Sequence, residues 1–203
     1  MHALFELNCY ASWWLSSIFF FLCSSRVDYS YARDTLKYGE WIIDNGTTTL
    51  VSSGGTFELG FFTPINSSSH ERYVGIWYKQ DQQTLVWVAN KYDPVPNGSI
   101  GVLFGIAKDG NLKVSNTTGG EDYWSTYLHS SSTNRTVKLM DSGNLVVNDD
   151  DDQSGTSLWE SFKNPTDTVL PGMKMDENLT LYSWKLDGDQ GQEQFTFEQD
   201  QEE

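Results

Sequence analysis

Two short phrases put carboxylate, hydroxyl and carboxamide groups on a turn that runs straight into an apolar strand. They are Asp109-Gly110-Asn111-Leu112-Lys113-Val114 and Ser142-Gly143-Asn144-Leu145-Val146-Val147, with their asparagines 33 residues apart. Asp-Gly and Ser-Gly are turn dipeptides in which glycine accepts positive φ without steric cost. Strand alternation then sends Leu112 and Val114, or Leu145 and Val147, to one face, and Asn111 and Lys113, or Asn144 and Val146, to the other. One face can enter a core, and the other can offer donors and acceptors to a polar ligand or simply finish a hairpin. A tryptophan follows each phrase, Trp124 and Trp159, and Trp87 stands 37 residues before Trp124. Each is followed two positions on by a small residue: Ala89, Thr126 or Ser161. An indole can stack on a sugar ring, but three at matching positions of a repeat are expected to pack together about a pseudo-threefold axis.

Other groupings carry less chemistry. The run Asp149-Asp150-Asp151-Asp152 gathers carboxylates, yet consecutive turn residues point in different directions and no glycine-spaced calcium loop surrounds them, so a solvated loop is expected. No carboxylate is placed in an apolar pocket beside a second one, as a glycosidase pair would require. Beyond residue 32 the chain has only His70 and His129 and no cysteine. Neither a zinc cluster nor a Ser-His-Asp arrangement is supported, and the glycine-rich and catalytic-loop phrases of a protein kinase are missing. No enzymatic activity, metal or cofactor is expected.

These groups need a sheet scaffold, and the remaining sequence is written for one. Helical periodicity is absent. Short alternating or aromatic runs are separated by Gly, Asn, Ser and Pro clusters at intervals of about eight to twelve residues, the pattern of an all-β domain. Strands are expected over 48–52, 56–62, 73–79, 84–90, 99–106, 112–116, 122–128, 136–140, 145–148 and 157–161. The tryptophan period implies one supersecondary unit used three times, because a single unit cannot bury its own apolar face.

Residues 1–32 read as a secretory signal peptide: Trp13 to Cys23 is an almost unbroken apolar run, and Ser30-Tyr31-Ala32 supplies small residues at a cleavage site. A membrane anchor is the rival reading, but this run is far shorter than the roughly 20 residues that span a bilayer core. One feature is off-pattern, since His2 and the amino terminus bring the only positive charge and Glu6 opposes it. No second apolar stretch approaches membrane length, so a secreted, extracellular chain without a stable span is expected. Cleavage leaves 171 residues, enough for one domain, and removes both Cys9 and Cys23, so no disulfide is expected. That chain has 12 basic and 26 acidic residues, a net charge of −14, which repels phosphate backbones and excludes nucleic acid as a partner. Sequons at Asn45, Asn66, Asn97, Asn116, Asn134 and Asn178 point to a glycosylated surface.

The stretch Leu158-Trp-Glu-Ser-Phe-Lys-Asn-Pro-Thr-Asp-Thr-Val-Leu-Pro-Gly-Met-Lys-Met175 resembles the signature that ends the bulb-type, mannose-specific lectin domain of plant G-type lectin S-receptor-like serine/threonine kinases. Phe57-Glu-Leu-Gly-Phe-Phe62, Tyr73-Val-Gly-Ile-Trp-Tyr78, Val86-Trp-Val-Ala-Asn90 and Lys138-Leu-Met-Asp-Ser-Gly-Asn-Leu-Val146 support the likeness. It implies a β-prism II fold, three four-stranded sheets with pseudo-threefold symmetry, over residues 33–175. Leu181-Tyr-Ser-Trp-Lys185 and Phe195-Thr-Phe-Glu-Gln-Asp-Gln201 resemble the opening of an S-locus glycoprotein domain, so 176–203 is expected to be its incomplete start. The segment from Leu179 is expected to be loosely ordered or to dock as an extra strand.

The resemblance also implies where sugar would sit. In mannose-binding bulb lectins each site follows Gln-x-Asp-x-Asn-x-Val-x-Tyr: the polar groups bond vicinal hydroxyls, and the valine packs on the sugar's apolar carbons. The second repeat keeps Asp109 and Asn111 but has Ala107, Lys113 and Ser115 at the other places. The third keeps Asn144 and Val146 but has Met140, Ser142 and Asn148. The first repeat shows no such run. Asp109, Asn111, Asn144 and Val146 are therefore the candidate carbohydrate-binding residues of partial sites. Two mechanisms stay open: weak binding of mannose-type glycans, or recognition of a protein or peptide by a receptor-like or decoy module without sugar binding. The family further implies a possible homodimer formed by exchange of C-terminal strands.

Overall fold

The computed structural model describes residues 33–65, 67–129, 131–174, 180–182 and 196–198. The expected leader with both cysteines, and the sequon asparagines Asn66 and Asn178, lie outside them. Three short strands come first: β1 (Thr35–Lys37), β2 (Trp41–Ile43) and β3 (Leu50–Val51). Three antiparallel triplets follow: β4 (Phe57–Phe62), β5 (Tyr73–Tyr78) and β6 (Asp81–Val88); β7 (Val102–Ile106), β8 (Leu112–Asn116) and β9 (Glu121–Ser125); β10 (Arg135–Leu139), β11 (Leu145–Asp149) and β12 (Trp159–Glu160). Each triplet takes one early strand as its fourth, β3 beside β4, β2 beside β7 and β1 beside β10. The result is the expected β-prism of three four-stranded antiparallel sheets.

The register shows why the sequence repeats. In the first sheet Leu50 pairs with Leu59, Leu59 with Ile76 and Ile76 with Trp87. In the second the same row reads Ile42, Phe104, Val114, Trp124, and in the third Leu36, Val137, Val147, Trp159. The first three residues of every row are 0% exposed. The three rows end on one another: the Trp87, Trp124 and Trp159 rings stand 5.6, 5.6 and 5.7 Å apart, with interplanar angles of 66° to 78°. Edge-to-face packing places the positive ring edge on the negative face of its neighbour, adding about 1 kcal/mol per pair to the apolar burial. The tryptophans are the axis of the prism, as expected for repeat positions.

The sequence reading missed β1 and β2, which are three residues long and contribute one fully buried side chain each, Leu36 and Ile42. With no alternation to read, such strands are recognisable only from the triplets they complete. The strand expected over 122–128 stops at Ser125, because Tyr127 adopts φ 53° and turns the chain. That expected over 99–106 begins only at Val102, after Gly101 at φ 73°. Further along, β13 (Thr180–Tyr182) pairs with β14 (Thr196–Glu198) in a separate two-stranded sheet. Among the described residues β13 and β14 pair only with each other, and the rest of the segment from Leu179 lies outside the described residues.

Candidate functional site

The turn between β7 and β8 is closed by Gly110 donating to the Ala107 carbonyl and Ala107 donating to the Asn111 carbonyl. Gly110 has φ 80°, and a Cβ there would collide with the Ser132 carbonyl oxygen and the Arg135 guanidinium, so both conformation and space demand glycine. The Nη1 of buried Arg135 donates to the Gly110 carbonyl at 2.6 Å, tying the third sheet to this turn. Asp109 Oδ1 accepts the Asn111 N–H at 3.1 Å. Asn111 is buried, and its Oδ1 accepts from Thr126 Oγ1 at 3.2 Å and from the Leu128 N–H at 2.5 Å. Thr126 Oγ1 in turn accepts the N–H of Leu112, the donor that the strand leaves unpaired at its start. Tyr127, left-handed between Thr126 and Leu128, lets both neighbours reach one oxygen.

The third repeat builds the same knot with serine. Asn144 Oδ1 accepts from Ser161 Oγ and the Phe162 N–H, both at 3.1 Å, and Ser161 Oγ accepts the Leu145 N–H at 2.9 Å. Asn144 Nδ2 donates to Glu160 at 3.0 Å, and Glu160 also receives Lys163 at 2.7 Å. Val146 is buried, with Lys138 and Glu160 as its cross-strand neighbours. The small residues two positions after Trp124 and Trp159 thus supply the hydroxyls that cap the Leu112 and Leu145 N–H groups and are held by the asparagines, a link that their spacing had signalled without explaining.

The register also locates the first repeat. Since Ile76, Val114 and Val147 all face a tryptophan, Tyr73 stands where Asn111 and Asn144 stand, and Ser69, Glu71, Gly75 and Trp77 fill the other motif places. The unpaired strand donor, Val74 N–H, is capped from across the sheet by Asn90 Oδ1 at 2.8 Å, while Asn90 Nδ2 donates to the carbonyls of Arg72 and Asp93. Tyr73 packs against Phe62, which meets Trp77 edge-on. Burial first, then the nearby Glu71 charge and hydrogen bond, push the Tyr73 hydroxyl up to about 12. On this sheet Phe62, Tyr73, Trp77 and Val88 form a second, buried cluster apart from the prism core.

Charge closes the second site. Lys113, at the place of the motif valine, bonds Asp109 at 2.9 Å and Asp122 at 2.7 Å. Burial pushes the Asp109 carboxyl up, but the Lys113 hydrogen bond, the Asn111 N–H and the ammonium charge outweigh it and hold it below the usual range. The hydrogen bond to Asp122, with that to Asp109 and both charges, raises Lys113 against desolvation. The Lys163 hydrogen bond lowers Glu160, with help from Asn144 and against burial. The structure therefore brings Asp109 and Asn111 together on one turn and Asn144 and Val146 on another, with both Asp109 oxygens and the Asn111 and Asn144 carbonyls already engaged. The aspartate run is likewise used locally: Asp149 accepts the Asp151 N–H, Asp150 accepts from Thr136, and Asp152 accepts from Ser154. Of the sequon asparagines described, Asn45, Asn97 and Asn134 are exposed, and Asn116 is half-buried with its carbonyl capping Thr118 and Gly119. Among the described residues no helix is long and apolar enough to cross a membrane.

The family described as D-mannose binding lectin matches residues 84–186. A G-type lectin S-receptor-like serine/threonine-protein kinase of Arabidopsis thaliana is 51% identical over 173 residues, covering 83% of this chain and 20% of that one. A putative kinase of the same description from the same plant is 42% identical over 183 residues, covering 85% and 20%. The chain spans about a fifth of the length of these curated relatives. Among solved structures, a Japanese Marasmius oreades lectin aligns with TM-score 0.42 at 16% identity, covering 64% of this chain and 90% of that one. A monomeric monocot mannose-binding lectin from Gastrodia elata aligns with TM-score 0.42 at 18%, covering 63% and 93%.

Proposed function

The chain belongs to the D-mannose binding lectin family, with the bulb-type domain of plant S-receptor-like kinases, and from this premise we propose that it is a secreted recognition module whose inherited mannoside sites have become internal braces. It is a binding domain and not an enzyme. Its partner on this reading is a protein or peptide in the extracellular space, met by sheet faces and loops, and mannose-type glycans bind weakly at most. The observation that carries the reading is Lys113, held between Asp109 and Asp122 at the position where a sugar would rest on valine. A mannoside entering there must break an ion pair and compete with Thr126 and Leu128 for Asn111. Each lost hydrogen-bond partner weakens binding by about 1 kcal/mol, and three such losses move a millimolar ligand to about 0.1 M.

A glycan array probed with the secreted, folded protein and its Lys113→Val and Asp109→Ala variants tests this. The expected result is no mannoside-competable signal from the natural chain. Competable binding by the natural chain that Asp109→Ala abolishes would show a working lectin site and overturn the proposal.

A further inference from the structure

A pocket of about 240 Å³ opens on the first sheet, away from both asparagine turns. Its walls include Thr48, Thr49, Glu58, Phe61, Trp77 and Gln82. Thr49 and the Trp77 ring close over Gly60 at the pocket wall: a Cβ there would lie 2.8 Å from Thr49 Cγ2 and 3.2 Å from Trp77 Cη2, so glycine is what lets them approach. Thr49 Oγ1 donates to Glu58 at 2.8 Å. An aromatic wall with hydroxyl, carboxylate and carboxamide groups around it suits a pyranose, whose C–H face packs on rings while its hydroxyls and amide take the polar contacts.

The rim of this pocket carries a sequon. Asn45-Gly46-Thr47 lies in the β2–β3 turn, and Gly46 and Thr48 both line the pocket. Asn45 is exposed, and its Oδ1 accepts from the Thr47 N–H, Thr47 Oγ1 and Thr48 Oγ1 at 2.9 to 3.0 Å. Those three bonds fix the carboxamide against a pocket-lining threonine and leave Nδ2, the atom that N-glycosylation modifies, without a hydrogen bond among the described residues. We propose that this pocket is an intramolecular carbohydrate site that seats the first N-acetylglucosamine of a glycan on Asn45. The attachment forms a bond from Nδ2 to the sugar's anomeric carbon, Nδ2 losing a proton as a lipid diphosphate leaves a glycosyl-diphosphate donor. The sugar ring lies against the half-buried Phe61, over the buried Trp77 ring at the pocket floor, with Gln82 and Glu58 on its polar edge. The proposal rests on the secreted reading above and is independent of what the module recognises.

The test uses the full chain secreted from a eukaryotic host. Glycopeptide mass spectrometry first reads occupancy at Asn45; an unmodified Asn45 overturns the proposal together with the secretory use of that sequon. The glycans are then trimmed enzymatically to single N-acetylglucosamines and their acetyl methyl signals recorded by NMR. The Asn45-linked methyl is expected upfield of those at the other sequons, from the Trp77 and Phe61 ring currents. Asn45→Asp, which keeps the acceptor for Thr47 and Thr48 but takes no sugar, is expected to lose that signal and to melt about 3 °C lower. An occupied Asn45 whose methyl resonates with the rest, and an Asn45→Asp chain that melts unchanged, would overturn the pocket assignment and leave the secreted reading standing.

Discussion

The first sheet and the other two solve one problem with different residues. In each, the middle strand begins with an N–H that the ladder leaves open: Val74, Leu112 or Leu145. The second and third sheets cap it with a hydroxyl, Thr126 or Ser161, which is itself held by Asn111 or Asn144. The first sheet has Tyr73 at the asparagine place and caps the strand with Asn90 from the neighbouring strand's end. What the repeats share is therefore a satisfied backbone donor, since an unpaired buried N–H costs about 1–3 kcal/mol. The motif asparagines persist in the two sheets where they hold a cap and are replaced where another residue does so.

Asn90→Ala is expected to have the largest effect on this comparison. It leaves the Val74 N–H and the Asp93 carbonyl unpartnered at a position that is 1% exposed, while the Arg72 carbonyl keeps the Val95 N–H, a loss of about 3 kcal/mol measurable by urea unfolding. Thr126→Val and Ser161→Ala each remove one hydroxyl from equivalent knots, and each is expected to cost about 2 kcal/mol. Values that differ widely between those two would break the equivalence of the second and third sheets.

Acidity separates the sheets more gently. Asp109 and Glu160 have depressed pKa values, so their contribution is present above the unfolded value near 4 and is lost as pH falls through the folded value. Asp44 runs the other way. Desolvation raises it despite the Arg72 guanidinium 2.9 Å away, so its ionised form costs stability that is relieved as pH falls through its raised value. Hydrogen exchange, corrected for intrinsic rate, is therefore expected to lose protection at Leu112 and Leu145 between about pH 5 and pH 3, with Val74 less affected. A parallel loss at all three amides would show that the acid response is global.

Much of this was legible in the chain. Trp87, Trp124 and Trp159 announced three equivalent units, and the Asp-Gly-Asn and Ser-Gly-Asn phrases marked two turns whose following leucine and valine enter the core. The early strands β1 and β2 were not legible, because a strand whose only fully buried residue is Leu36 or Ile42 leaves no period. Nor was the closure of the site. Ion pairing of Lys113 with Asp122 depends on cross-strand register, and the use of Asn111 by Leu128 depends on the left-handed turn at Tyr127. Neither tyrosine nor any nearby spacing announces such a turn, since an αL residue other than glycine carries a steric cost that only the surrounding bonds offset.

The most direct test of the central claim is an NMR titration of the folded protein with methyl α-mannoside, following the side-chain amides of Asn111 and Asn144 and the backbone amides of Leu112 and Leu145. If these asparagines are braces, the four signals stay fixed up to about 5 mM sugar, where a site with a dissociation constant of about 0.1 M is only about 5% filled and a millimolar site would be mostly filled. Saturable shifts of either asparagine, with a dissociation constant near 1 mM, would show an open lectin site and contradict the account.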